Sequence, residues 1–548
     1  MAEMPTGAEL FVESALQLGI DRIFTLVGDH LNEVLSVAEK RGVPIVHMRH
    51  EAAVVHAADG WSRMTRRPGL AIVTGGPGHT NALTGIATAH SNGSPVIAVS
   101  GTPATEARHR VVFQDIDQVG MAAPVTKFSH LVTTPSQVPF ALGHAYNEAF
   151  SGRYGATHLS IPVNVFTGKT EAPLNMPKAR GVARQCEDVA TAMDLLAAGE
   201  RPVVIGGSGL WWSDAGAALT KFLKQTRLPY FDVTMARGVI SEKFAGHCGY
   251  ADPSLNRGCI PAFQAADVVL VLGKRIDYRL AMGGPRLFGK ETKFIQVDVE
   301  PREIGNVRDV AVGVVGDVRT FLEAALPSKQ WEPKSAWMKQ IGKWRKEWMT
   351  KLLAQSGDDT LLHPGQFFQE VKRTLPVSPL LSFDGGDFIH WGRAILPALH
   401  SGGWLRLGPM ATIGAALPFA MAQQMARPKQ PVMMMTGDGS LGFYIAELDT
   451  MVRYGVPVVI IVGNDGGWGL ERELQGEVQG TTTACELRRT RYDLVCQGFG
   501  GGGETIDRMD QVGPALARAF AYDGPYVLNV NIRGARSPFT SWQLEGKK

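Results

Sequence analysis

Short apolar runs, many closed by glycine and each followed by a stretch of helical period, recur along nearly the whole chain. In the first third they are RIFTLVG, PIVHMRH, GLAIVTGG, PVIAVSG and THLSIPV, and the helical stretches beside them include HLNEVLSVAEKRG, EAAVVHAADGWSRM and HTNALTGIATAHSNG. A run that is apolar throughout, rather than alternating, suits a strand buried on both faces, and strand–helix–strand succession suits parallel pairing. A second series holds RPVVIGGSG, LPYFDV, ADVVLVLG and KFIQVDVEP; a third holds PLLSFDGG, WLRLG, PVMMMTGDG, PVVIIVGND and PYVLNVNI. At 548 residues the chain is too long for one core. The expectation is an α/β protein of three doubly wound parallel-sheet domains, at 1–175, 188–328 and 360–548. The polar stretch GKTEAPLNMPKARG reads as a linker. PSKQWEPKSAWMKQIGKWRKEWMTKL reads as a connecting helix outside the sheets.

The net charge of +3 gives no electrostatic case for a nucleic-acid partner. The five cysteines are scattered, with no metal-ligand spacing, and are expected as reduced thiols in a cytoplasmic protein. The N-terminus lacks the basic start and apolar core of a signal peptide, and no apolar window is long enough to span a membrane.

Chemistry concentrates where strands end. Asp438 follows PVMMM and Asn464 follows VPVVIIV, which puts an acid and an amide at the carboxyl ends of two neighbouring buried strands. Ligands of open parallel sheets gather there. Oxygen donors of this kind suit Mg²⁺ or Ca²⁺, and Mg²⁺ reaches proteins through one or two carboxylates plus phosphate oxygens. Gly437 and Gly439 free the backbone at the turn, and Ser440 is expected to begin the next helix, whose N–H groups suit a phosphate. Alone, GDG could equally be an ordinary Asp-Gly turn.

GDG followed some two dozen residues later by Asn resembles the fingerprint of thiamine diphosphate-dependent enzymes. The resemblance implies Mg²⁺ held by Asp438, Asn464 and the backbone carbonyl of Gly466. It also implies thiamine diphosphate beside Gly437, Gly439, Ser440 and Gly466. The family often has Asn-Asn, and here the second position is Asp465. RHEAAVVHAADGWSR is similar to the family's glutamate segment, which implies Glu51 as the acid at N1′ of the aminopyrimidine. TGGPGHTN resembles its GPG-TN loop, with Pro77 and Asn81 at the cofactor. ATIGAALP resembles the segment whose carbonyl, here of Ala411, receives the 4′-amino group and whose apolar residue, here Ile413, props the bent cofactor. In this family active sites lie between the first domain of one subunit and the third of another, which implies a homodimer or homotetramer.

Substrate class depends on what faces the reacting carbon. His30 in LVGDHLNEVL and Gln114 in RVVFQDIDQVGM are the polar candidates; Leu407 and Met410 flank the cofactor segment with apolar bulk. IDQVGMAAPVTKFSH is close to the corresponding stretch of benzaldehyde lyase, and FTLVGDHLNEVL with RHEAA is similar to one branch of 2-hydroxyacyl-CoA lyases. Acetolactate synthases share the Phe113–Gln114 pair but typically lack the histidine. The resemblance implies a lyase and carboligase with Glu51, His30 and Gln114 as catalytic residues, acting on an aldehyde, 2-hydroxy ketone or 2-hydroxyacyl-CoA. The alternative is an acetolactate synthase-like or decarboxylating enzyme acting on a 2-oxoacid such as pyruvate. A degenerate scaffold is a third reading, opposed by the joint presence of Glu51, Asp438 and Asn464.

His30 could instead cap the following helix, with Asp29 the better cap. His79, opening the helix after GGPG, is expected as a structural histidine. In relatives the middle domain holds ADP, FAD or nothing, and the cluster GGSG does not choose among them. The basic tail RGARSPFTSWQLEGKK is expected either to cover a CoA phosphate or to be disordered.

Overall fold

The computed structural model describes residues 4–108, 110–171, 186–327, 330–355 and 361–546; most of the expected linker, and the expected boundaries at 175, 328 and 360, lie outside them. Three six-stranded sheets follow one another along the chain, and every strand pair is parallel. The first contains β1 (Ile23–Leu26), β2 (Ile45–His47), β3 (Gly69–Val73), β4 (Val96–Thr102), β5 (Ser129–Leu131) and β6 (Thr157–Pro162), in spatial order β2-β1-β3-β4-β6-β5. The second contains β7 (Val203–Gly206), β8 (Tyr230–Asp232), β9 (His247–Tyr250), β10 (Val268–Leu272), β11 (Lys293–Asp298) and β12 (Val312–Val315). Its order is β9-β8-β7-β10-β11-β12, the arrangement of dinucleotide-binding sheets. The third contains β13 (Leu380–Phe383), β14 (Trp404–Arg406), β15 (Val432–Gly437), β16 (Val458–Asn464), β17 (Gly502–Ile506) and β18 (Tyr526–Asn531). Its order, β14-β13-β15-β16-β18-β17, repeats that of the first sheet strand for strand.

The first and third sheets share one apolar core. The helix Glu51–Thr65 lays Val54, Ala57, Ala58 and Trp61 against Phe419 and Ala420 of the helix Ala416–Ala426. At Gly60 a methyl group would stand 3.0 Å from the Phe419 Cα, so glycine permits this helix crossing. Each fully buried large apolar side chain here contributes roughly 1.5–3 kcal/mol, more than any exposed ion pair at the same boundary. The expected connecting helix, Ser335–Leu353, is not free of the domains: Trp337 and Ile341 are buried in the second sheet's core, and Trp337 Nε1 donates to the Pro202 carbonyl at 3.1 Å. In the tail, Pro538–Glu545 is a helix, and Arg536 pairs with Glu473 and Glu477 at 3.0 Å each. Among the described residues no helix is long and apolar enough to cross a membrane.

Candidate active site

The carboxyl ends of β1, β2 and β3 carry one group of candidate residues. β1 runs into a 3-10 turn, Asp29–Leu31, that places His30 on the loop after β3. His30 Nδ1 lies 3.3 Å from the Gly75 N–H and 3.3 Å from Thr74 Oγ1. A backbone N–H only donates, so Nδ1 is the acceptor and the neutral ring carries its proton on Nε2. Burial lowers the His30 pKa, with the Asp29 charge pulling the other way, which favours that neutral form. Neither Asp29 nor His30 caps the next helix: its N-cap is Leu31, with no side-chain hydrogen bond, because the intervening turn carries both side chains past the first free N–H groups.

Gln114 sits 3.5 Å from Thr74 Oγ1 and has a left-handed backbone, φ 61°. Such strain in a residue with a side chain persists where the surroundings enforce it and clusters at functional sites. Gln118 is a residue the sequence did not single out. Its Oε1 accepts from the Gly76 N–H (3.3 Å), and its Nε2 donates to the Gly101 carbonyl (3.2 Å) and Ser160 Oγ (2.8 Å), so it fixes the same loop from below. His79 is fully buried, 2.8 Å from Ser100 Oγ, and burial lowers its pKa to about 4. It faces the core rather than the loop where His30 and Gln114 meet.

Glu51 is the first residue of its helix, where a carboxylate complements the dipole. Its Oε2 accepts from Asn81 Nδ2 at 3.0 Å. Asn81 belongs to the helix Pro77–Asn92, whose N-cap Gly76 has φ 58° and whose Pro77 takes the first turn without needing an N–H partner. Gly78 lets the helix start approach Thr74, whose Cγ2 would stand 2.8 Å from a Cβ there.

The second group surrounds a cavity of about 180 Å³ at the carboxyl ends of β13, β15 and β16, lined by Gly385–Phe388, Ile413, Gly437–Ser440 and Trp468 among others. Asp438, not Ser440, opens the helix Asp438–Leu441; the next helix, Glu447–Arg453, starts separately, with Gly442 between them. Burial, reinforced by the nearby Asp465 charge, pushes the Asp438 carboxyl up to about 7. Its Oδ2 accepts from the Gly467 N–H at 3.1 Å. Asn464 is fully buried: its Nδ2 donates to the Thr490 carbonyl (2.9 Å) and Asn529 Oδ1 (3.0 Å), while its Oδ1 has no partner. A buried carboxamide oxygen left unpaired carries a desolvation cost that a bound cation would remove. Among the described residues no three His, Cys, Asp or Glu cluster to hold a metal unaided, so a cation at Asp438 needs oxygens from amides, water or phosphate.

The Gly466 carbonyl departs from the expectation. It accepts from the Leu487 N–H at 2.7 Å and from Arg472 Nη2 at 3.4 Å, so both lone pairs are engaged. Arg472 also holds Asp465 at 3.2 Å, which ties the family's departure at that position to the loop that occupies the carbonyl.

Ile413 lines the cavity and packs on Gly385, where a Cβ would stand 2.7 Å away. Ala411 is held left-handed at φ 53°, and Asp384 Oδ1 accepts from the Gly385 N–H (2.8 Å) and Gly414 N–H (2.9 Å), so the 411–414 loop is pinned to the end of β13. The segment Gly385–Phe388, where Gly386 (φ 102°) precedes the helix Asp387–Ile395, is a further part of the site that the sequence did not single out; its signal is DGGD directly after an apolar run. Among the described residues, every one lining this cavity comes from positions 364–535. Glu51 and Asn81 lie outside it.

A further cavity, of about 160 Å³, lies where the order of the second sheet reverses, between β7 and β10. Ser208 and Gly209 after β7, Gly273–Arg275 after β10 and Asp298 at the end of β11 line it, together with Arg153 and Arg406 from the flanking domains.

Comparison with known proteins identifies the class. Residues 5–121 match the thiamine pyrophosphate enzyme N-terminal TPP binding domain, residues 189–325 its central domain and residues 384–530 its C-terminal TPP binding domain. The chain belongs to the thiamine pyrophosphate enzyme family and is a thiamine diphosphate-dependent enzyme. It is 34% identical over 526 residues to an acetolactate synthase large subunit of Mycobacterium tuberculosis, covering 93% of each chain. It is 29% identical to 2-hydroxyacyl-CoA lyase 2 of Danio rerio (92% of this chain, 87% of the relative). It is 28% identical to oxalyl-CoA decarboxylase of Escherichia coli (97% and 95%).

Proposed function

We propose that this enzyme is a Mg²⁺-dependent lyase and carboligase that cleaves 2-hydroxy ketones or 2-hydroxyacyl-CoA to an aldehyde, or joins the fragments. Thiamine diphosphate supplies, at its thiazolium C2, the carbon nucleophile that such chemistry needs. Asp438 and Asn464 would hold the Mg²⁺, with diphosphate and water supplying further oxygens; Asp438 lines the cavity, while Asn464 is buried outside its lining with Oδ1 unpaired. Glycine backbone at 385–386 and 437–439, with Ser440, cradles the diphosphate; Ile413 and the Ala411 carbonyl orient the ring system. Glu51, aligned by Asn81, exchanges a proton at N1′, with Pro77 in the adjoining turn.

The observation that carries the lyase reading is His30 at the Thr74–Gly75–Gln114 cluster. Its Nε2–H would hydrogen-bond a substrate oxygen and stabilise the alkoxide there, the one formed on joining and the one whose collapse breaks the C–C bond on cleavage, while the proton itself is exchanged with water. Gln114 supplies a second polar contact there. A 2-oxoacid substrate is the alternative, favoured by the 34% identity to a protein named an acetolactate synthase.

Two assays decide. Protein reloaded with thiamine diphosphate and Mg²⁺ releases aldehyde from benzoin or a 2-hydroxyacyl-CoA, without CO₂ from pyruvate, and His30→Ala slows that release about 10²-fold. CO₂ from pyruvate with no aldehyde release moves the enzyme to the 2-oxoacid class.

The 160 Å³ cavity suits an adenine nucleotide diphosphate, ADP or FAD: it lies at the sheet's reversal, with Arg153 and Arg275 beside Gly209 and Gly273 for a pyrophosphate, while Lys274 is paired with Asp277 at 2.6 Å and Asp298 and Asp317 also line it. Heat-denatured protein is expected to release such a nucleotide; an absorption band in the visible marks FAD, ultraviolet absorption alone marks ADP, and neither leaves the cavity unassigned. The separation of Glu51 from the Asp438 cavity supports a homodimer or homotetramer with sites completed between copies.

A further inference from the structure

Glu51 is presented by a very short connector. β2 ends at His47 and the helix starts at Glu51, so Met48, Arg49 and His50 alone set where the carboxylate points. Their hydrogen bonds go mostly to another domain. The Arg49 N–H donates to Glu447 at 3.1 Å (Oε1) and 3.4 Å (Oε2), and Thr450 Oγ1 donates to Glu447 Oε2 at 2.7 Å. From the same helix Arg453 Nη2 donates to the His47 carbonyl at 3.0 Å, and Asp449 pairs with Arg49 at 2.9 Å. Just beyond it, Tyr454 Oη accepts from the His47 N–H (2.9 Å) and donates to the Ile45 carbonyl (3.1 Å). The stretch from Ile45 to His50 is thus gripped by 447–454 of the third domain.

These contacts are not equal. Arg49 is half-exposed and Asp449 partly so, and an ion pair in water fixes little. Glu447 is fully buried. Burial pushes its carboxyl up to about 7, while Thr450, the Arg49 and His50 N–H groups and the Arg453 charge all favour the carboxylate. A carboxylate in such a place is costly unless its donors are fixed, and here the donors are the residues that lead into Glu51.

We infer that Glu447 is a positioning residue for Glu51: across the domain boundary its carboxylate fixes the connector that aims the Glu51 carboxyl at the cofactor. This rests on the reading of Glu51 as the N1′ acid. Glu447 does not line the cavity around Asp438, so its loss should separate proton exchange from cofactor binding.

The test uses full-length enzyme reloaded with thiamine diphosphate and Mg²⁺, and reads the deuterium-exchange rate at C2 of the bound cofactor together with the cofactor Kd. Glu447→Ala is expected to slow exchange about tenfold or more while the Kd moves less than about twofold, as small misplacements of a reacting group do. Glu447→Gln, which keeps an oxygen for the Arg49 N–H, should recover most of the rate. Glu51→Gln is run beside them. If it abolishes exchange while Glu447→Ala exchanges at the wild-type rate, the positioning role is overturned and the Glu51 reading stands. If Glu51→Gln itself exchanges normally, the Glu51 reading fails and the inference with it. Should Glu447→Ala not fold, Thr450→Val is compared with Arg453→Gln, since the Thr450 hydroxyl both donates to Glu447 and accepts from Arg453: exchange slowed by Thr450→Val beyond Arg453→Gln supports the role, and an equal or unchanged rate overturns it.

Discussion

Glu51→Gln is expected to bind thiamine diphosphate and Mg²⁺ normally and to lose about 10³-fold in kcat, which is about 4 kcal/mol of barrier. The substitution is nearly isosteric, and the amide oxygen can still accept from Asn81 Nδ2, so the helix start and its neighbour stay in place. What is lost is a group that both takes and returns a proton. Because the carboxyl lies outside the cavity around Asp438, nothing that holds the diphosphate changes. Steady-state kcat and a cofactor titration separate the two effects. Full turnover by the variant would remove Glu51 from the proton path and leave it as a charge at a helix N-terminus.

Much of this architecture is written in the apolar runs, and the parts that are not share a physical cause. The strands that no such run announces are β5, β9 and β17, and each is an edge strand. Central strands are covered on both faces, so VVLVL or VVIIVGN reads as unbroken hydrophobicity. An edge strand needs only one neighbour and carries whatever its surroundings allow: SHL in β5, HCGY in β9, GGETI in β17.

The site divides the same way. Asp438 and Asn464 stand out as candidates because the ends of buried strands are where a parallel sheet delivers side chains, and Glu51 because it opens a helix just after a strand. Gln118 and Glu447 are not, since each acts on backbone that lies far away in sequence and only the folded chain brings them together. The Gly466 carbonyl shows the opposite failure. Its place after Asn464 suggests a ligand, but the loop 485–489 and Arg472 occupy it. Asp29, a good capping residue by type, fails for a local reason: a 3-10 turn separates it from the helix it would cap.

Mixing two inactive variants is expected to restore activity. Glu51→Gln lacks the acid and Asp438→Ala the metal ligand, so neither should turn over alone. In a mixed dimer whose sites form between copies, one site receives both substitutions and is dead, while the other combines the intact half of each chain. Random assortment makes half of the dimers mixed, each with one working site, so co-expression should return about a quarter of wild-type activity from two silent proteins. Differently tagged chains allow the mixed dimer to be isolated, where the figure rises to about half. The expectation comes from geometry: among the described residues, none of the first sheet's domain lines the Asp438 cavity, although the two domains share a core. The helices 51–65 and 416–426 pack on each other in that core, with Gly60 against Phe419, which fixes the helix that begins at Glu51. A site complete within one chain gives no rescue at any mixing ratio, and that outcome would require the two domains to part from the packing that now joins them.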